Sequence, residues 1–92
     1  MKDESFWELQ RTLSAEFSKY VLSHPEIDDR IPDGAQIIFN LRGNPEFNEW
    51  ARKVALLNKE PKQKMLIVNI EKLLPPFETR LVNPHLELAA TL

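Results

Sequence analysis

A small α+β domain is the fold class that the sequence predicts, and three observations predict it. Near the N-terminus, apolar residues recur at three- and four-residue steps, the period of a helix packed on one side. Two short runs, residues 35–41 and 65–70, are rich in β-branched and apolar side chains and read as strands. Between them lies a second helical stripe, so the 23 residues that separate the two runs have the spacing of a βαβ crossover. At 92 residues there is material for one domain and one core, a size at which roughly 60–65% of the unfolded chain's surface becomes buried. A hydrophobic fraction of 42% beside 28% charged residues excludes a disordered chain. The expected architecture is an N-terminal helix followed by a βαβ unit of two to three strands, with the regular core over residues 5–82 and a tail over 83–92.

The first helix is expected over residues 5–22. Phe6, Leu9, Leu13, Phe17, Tyr20 and Val21 share its stripe, with Trp7 beside it. Ser5 and Glu8 have capping-box spacing. His24-Pro25 ends the helix, because a residue before proline is pushed away from helical angles. Pro25 then opens a turn through residues 26–29, anchored by Ile27 and Ile31. Pro32-Asp33-Gly34 is a turn signal, since proline presets one dihedral and glycine tolerates positive φ. In the strand that follows, alternation places Ile37, Phe39 and Leu41 on one face, and Gln36, Ile38 and Asn40 on the other.

Asn44 as N-cap and Pro45 in the first turn open the second helix. Its predicted stripe is Phe47, Trp50, Ala51, Val54 and Leu57, and Asn58, Lys59 and Pro61 supply its stop. Residues 65–70 form a near-continuous apolar run, suited to a strand covered on much of both faces. If the two strands are adjacent they should be parallel, although an intervening strand is compatible with the spacing. Pro75-Pro76 ends the regular part, residues 77–82 suit an edge strand, and Asn83-Pro84 would cap a final short helix or tail carrying Leu86, Leu88 and Leu92.

Composition excludes several functions. With no cysteine there is no disulfide scaffold, thiolate metal site or cysteine nucleophile. No apolar run approaches the roughly 20 residues of a membrane span, and the first residues carry no secretory leader pattern. A cytoplasmic location with no membrane partner is the expectation. The net charge of −2 divides unevenly: residues 1–34 carry −4, residues 42–64 carry +3 and the remainder −1. Such a chain has an acidic and a basic portion that suit pairing with a partner or a second copy.

Candidate chemistry is thin. His24, Glu26, Asp28 and Asp29 gather an imidazole and three carboxylates, but no second histidine stands at a ligand spacing, and they read as a helix end and a solvated connector. Arg42-Gly43-Asn44-Pro45 follows a strand and precedes a helix, a place where anions bind in open α/β sheets. It lacks a phosphate-cradling glycine run, and Glu46 opposes an anion. Lys59, Lys62 and Lys64, with Arg52 and Lys53, form the one basic cluster and have no interleaved aromatics for base stacking. Ser5, Ser14, Ser18 and Ser23 lack a nucleophile motif. No catalytic residue, metal or cofactor is expected.

The segments Glu16-Phe17-Ser18-Lys19-Tyr20-Val21-Leu22-Ser23-His24-Pro25-Glu26 and Ile31-Pro32-Asp33-Gly34-Ala35-Gln36-Ile37 carry a resemblance. They are similar to a family of short prokaryotic proteins grouped as a domain of unknown function. Its pattern is a helix ending in a His-Pro-Glu turn, Ile-Pro-Asp-Gly before a strand, then a second helix, another strand and a proline-containing C-terminal segment. The likeness covers most of residues 9–82 and rests on turn and packing residues. It implies a shared compact fold and brings no activity or catalytic residues.

A sheet of two to three strands cannot hide both faces alone, and an uncovered face is an association site. The functional expectation is therefore a non-enzymatic protein–protein interaction or regulatory module, of antitoxin, adaptor or subunit type. It would form a homodimer or dock on a partner protein through Ile38, Leu66, Val68, Ile70, Leu86 and Leu88. The alternative is a weak nucleic-acid- or nucleotide-binding regulator using Arg42 with Lys62 and Lys64, although the modest basic charge does not favour nucleic acid as a partner.

Overall fold

The computed structural model describes residues 2–74 and 81–89. Helix α1 spans Lys2–Ser23 and a single helical turn, α2, spans Pro25–Asp28. Strand β1 (Gln36–Leu41), helix α3 (Pro45–Asn58) and strand β2 (Met65–Ile70) follow, and then the short strands β3 (Lys72–Leu73), β4 (Leu81–Val82) and β5 (His85–Ala89). The fold is mixed α+β, as expected, and β1 and β2 pair directly and in parallel with no strand between them.

Helix α1 begins at Lys2, so Ser5 lies inside it and is not its N-cap. At the other end the helix stops where proline requires, and the imidazole of His24 fills the exposed helix end. Its Nδ1–H donates to the Tyr20 carbonyl at 2.9 Å, and its ring stacks on Tyr20 with centroids 4.0 Å apart. The N-cap of α3 is the expected one, with the Asn44 side chain accepting the Phe47 N–H at 3.2 Å. The turns before β1 and α3 use Gly34 and Gly43 at φ +71° and +88°, angles that glycine adopts without steric cost.

The main sheet has the order β1-β2-β5. Its outer strand β5 runs antiparallel on β2, with Leu66 opposite Leu88 and Val68 opposite Leu86. Residues 85–89 are thus a strand docked on the sheet, where the sequence suggested a short helix or a docking tail. Their alternation of polar and apolar side chains is compatible with a strand, and the pairing with β2 settles it. The expected edge strand over residues 77–82 is seen at Leu81–Val82, where β4 pairs with β3; residues 77–80 lie outside the described residues.

Side-by-side residues of a parallel pair point to the same face. The register Ile37–Leu66, Phe39–Val68 and Leu41–Ile70 therefore defines one face, and Gln36–Met65, Ile38–Ile67 and Asn40–Asn69 the other. Helix α1 packs on the first face, where the Phe17 ring meets Phe39 edge-on at 5.9 Å. It runs antiparallel to β1: its N-terminal Phe6 and Trp7 pack on Phe47 and Trp50 at the start of α3, while Val21 and Leu22 lie near Ile31 and Ile37.

Helix α3 secures the outer edge of β1. Asn48 Nδ2 donates to the Leu41 carbonyl at 2.8 Å, and its Oδ1 accepts the Leu41 N–H at 2.7 Å. One side-chain amide thereby replaces the missing neighbouring strand. Phe47, Ala51 and Ala55 are the buried residues of this helix. Leu57, expected on the same stripe, stands 85% exposed. At 100° per residue it points about 120° away from Ala51, and Ala55 takes its place in the core. The core joins these side chains to Leu13, Phe17, Ile38, Phe39, Met65, Val68, Ile70 and Leu81. The thinnest dimension of the molecule is 17 Å. That depth fits two layers, since each further layer adds about 10 Å.

Candidate functional site

The residues expected to mediate association are mostly core. Ile38, Leu66, Val68 and Ile70 are 2%, 1%, 0% and 2% exposed. The cause is register. Val68 and Ile70 fall on the face that α1 covers, and Leu66, on the same face, is flanked in the sheet by Leu88 and lies at the base of a recess shared with Leu86 and Arg30. Ile38 is on the opposite face but enters the buried cluster with Ala51 and Ala55. Leu86 is half-buried, and Leu88, at 61% exposure, is the member of the set that reaches solvent.

Arg42, Lys62 and Lys64 are not brought together. Arg42 follows the C-terminal end of β1, whereas Lys62 and Lys64 precede the N-terminal end of β2, and the two six-residue strands are parallel. A rise of about 3.3 Å per residue puts the two groups roughly 20 Å apart. Two amides of the Arg42 turn are already used: Arg42 N–H donates to the Ile70 carbonyl at 2.9 Å and Asn44 N–H to the Leu41 carbonyl at 3.1 Å. The turn is a capped βα connection with little left for an anion.

The acidic connector holds no organised metal site. No group of three or more His, Cys, Asp or Glu side chains among the described residues converges on a possible ion position, and the Nδ1 of His24 is committed to Tyr20. On the second sheet face a polar ladder crosses three strands. Asn40 Nδ2 donates to Asn69 Oδ1 at 3.0 Å, and Asn69 Nδ2 donates to Glu87 Oε1 at 3.2 Å. With Ile38, Ile67 and Arg52 it lines a recess of about 150 Å³. These polar groups satisfy one another, and the ladder serves to tie β5 to the sheet.

One concave surface among the described residues is lined mainly by apolar side chains. A groove of about 420 Å³ lies between the C-terminal half of α1 and the first sheet face. Helix α1 contributes Phe17, Val21 and Leu22, and opens the groove by placing small Ser14 and Ser18 on its wall. Ile31, Ile37 and Phe39 form the other side. Leu22 stands on the rim, 83% exposed. An exposed leucine beside an unfilled apolar groove is the kind of surface that protein interfaces bury. Composition did not point to it: Val21 belonged to the predicted stripe, but Leu22 falls just beyond it, and only folding sets Ser14 and Ser18 opposite Ile37.

Fold and surface together define a small two-layer α+β domain with an apolar groove and no assembled catalytic constellation among the described residues. The chain belongs to a family of unknown function: the model described as Family of unknown function (DUF5647) matches residues 6–89, nearly the whole chain. No curated protein matches the chain, and no solved structure does. Among the described residues, no helix is long and apolar enough to cross a membrane.

Proposed function

We propose that the chain is a non-enzymatic interaction module that self-associates, with the groove between α1 and β1 as its contact surface. The observation that carries this reading is the groove itself: apolar side chains from two elements around about 420 Å³, with a leucine exposed at its rim. Burying a large apolar side chain fully is worth roughly 1.5–3 kcal/mol, so a few such contacts supply a usable affinity. The uneven charge favours a second copy as occupant, because the acidic first third of one chain complements the basic middle of another. The reading is the non-enzymatic module expected from the sequence, with its contact surface moved from the sheet residues to the groove.

Amide chemical shifts recorded over a dilution series test the location. The expected shifts concentrate at residues 14–22 and 31–39. Concentration-dependent shifts confined to other surfaces, or none at all, would overturn the assignment.

A further inference from the structure

We infer that the occupant of the groove is the C-terminal turn of α3 from a second copy, inserted through Leu57 with Leu56 beside it. The inference rests on the self-association reading and adds to it the partner element and the symmetry.

Three observations support it. Leu57 is among the most exposed large apolar residues of the molecule and Leu56 is half-exposed, both on the side of α3 turned away from the sheet. Neither leucine belongs to the core cluster of its own chain. The charges also match. The connector that joins the two walls of the groove carries exposed Glu26, Asp28, Asp29 and Asp33 against a single cation, Arg30, and is net negative. The turn around Leu57 carries Lys59 and Glu60, followed by Lys62 and Lys64, and stays net positive even though Lys53 one turn back is paired with Glu49 at 3.2 Å. Lysines brought up to those acids complement them, whereas a parallel arrangement of like ends would repel.

The third observation is placement. The end of α1 leads into β1 and the end of α3 leads into β2, and the two strands start side by side. The Gln36 N–H donates to the Lys64 carbonyl at 2.8 Å, and Gln63 Nε2 donates to the Gly34 carbonyl at 2.9 Å, so the two connectors are held together. Groove and projecting leucine therefore lie at the same end of the slab. A surface that contains both a knob and its hole pairs with itself about a two-fold axis, each copy filling the other, and closes as a dimer instead of growing into a chain.

The test uses the full chain and two surface substitutions. Leu57→Glu and Leu22→Glu are each expected to weaken self-association at least tenfold in sedimentation velocity while leaving the denaturation midpoint unchanged. An equimolar mixture of the two variants is expected to recover a heterodimer, because one intact knob still meets one intact groove. The chain has no cysteine, so Ser18→Cys and Leu57→Cys variants each carry a single thiol. Mixed under mild oxidation, they should form the heterodisulfide at least several-fold faster than Arg11→Cys does with Leu57→Cys. Loss of association in Leu22→Glu but not in Leu57→Glu would overturn the α3 occupant and leave the groove as a contact for another segment or protein. A wild-type chain that stays monomeric would overturn both readings.

Discussion

Asn48 shows how much a single side chain decides in a small fold. Among the described residues strand β1 has a neighbouring strand on one side only, and the Asn48 amide completes its other edge at Leu41 with two hydrogen bonds. Asn48→Ala leaves a backbone donor and an acceptor without these partners, and should lower stability by about 1–3 kcal/mol, read as a shift in urea midpoint. Gly34 is a second such residue. Nothing lies within 4 Å of where its Cβ would be, so the only penalty of Gly34→Ala is its φ of +71°. The expected loss is about 1–2 kcal/mol, again by urea unfolding, and a neutral substitution would show that the turn relaxes. The two residues differ in how far they could be foreseen. Pro32-Asp33-Gly34 announces a turn by local chemistry alone, whereas an asparagine in the first turns of a helix is ordinary until a strand edge is placed against it.

Among the elements, local period was informative wherever one face dominated. Phe6, Leu9, Leu13 and Phe17 were placed correctly because one side of α1 packs on the core, against α3 at its N-terminal end and against the sheet further on. Leu57 was misplaced because an apolar residue at the frayed end of a stripe satisfies the pattern without touching the core. The pair gives a sharp contrast. Leu13, fully buried, should cost about 2–5 kcal/mol as Leu13→Ala, while Leu57→Ala should change stability by no more than about 0.5 kcal/mol. Thermal or urea denaturation of the two variants checks both; a large loss at Leu57 would place it in the core after all. Strand β5 was read as a tail because five residues after Asn83-Pro84 are too short for either period to be decisive, and it is the long-range pairing with β2 that makes them a strand.

At the scale of the whole molecule, the fold class, the parallel pair and the crossover helix were legible, and the association surface was not. Alternation tells which residues share a face but not which face a helix covers. Leu66, Val68 and Ile70 were therefore assigned outward and turned out to be core, while the surface that remained open is assembled from α1, Ile31 and β1, three successive segments that only folding sets around one groove. Charge segregation, by contrast, was visible from the start and gives a further expectation. If acidic connector and basic turn face each other across an interface, association should weaken several-fold as salt rises from about 0.05 M to about 0.5 M, because screening shortens from more than 10 Å to a few ångströms. Insensitivity to salt would assign the contact to apolar burial alone. A standard interface takes about 800 Å² from each partner, roughly an eighth of the 6423 Å² surface of this chain.

The claim on which the functional account depends is that two copies associate, and the most direct test is the mass of the wild-type chain in solution. Sedimentation equilibrium over a dilution series should show a species at twice 10.7 kDa that dissociates on dilution, and in Leu22→Glu does so at concentrations at least tenfold higher. A single species at 10.7 kDa across the whole series would contradict the account.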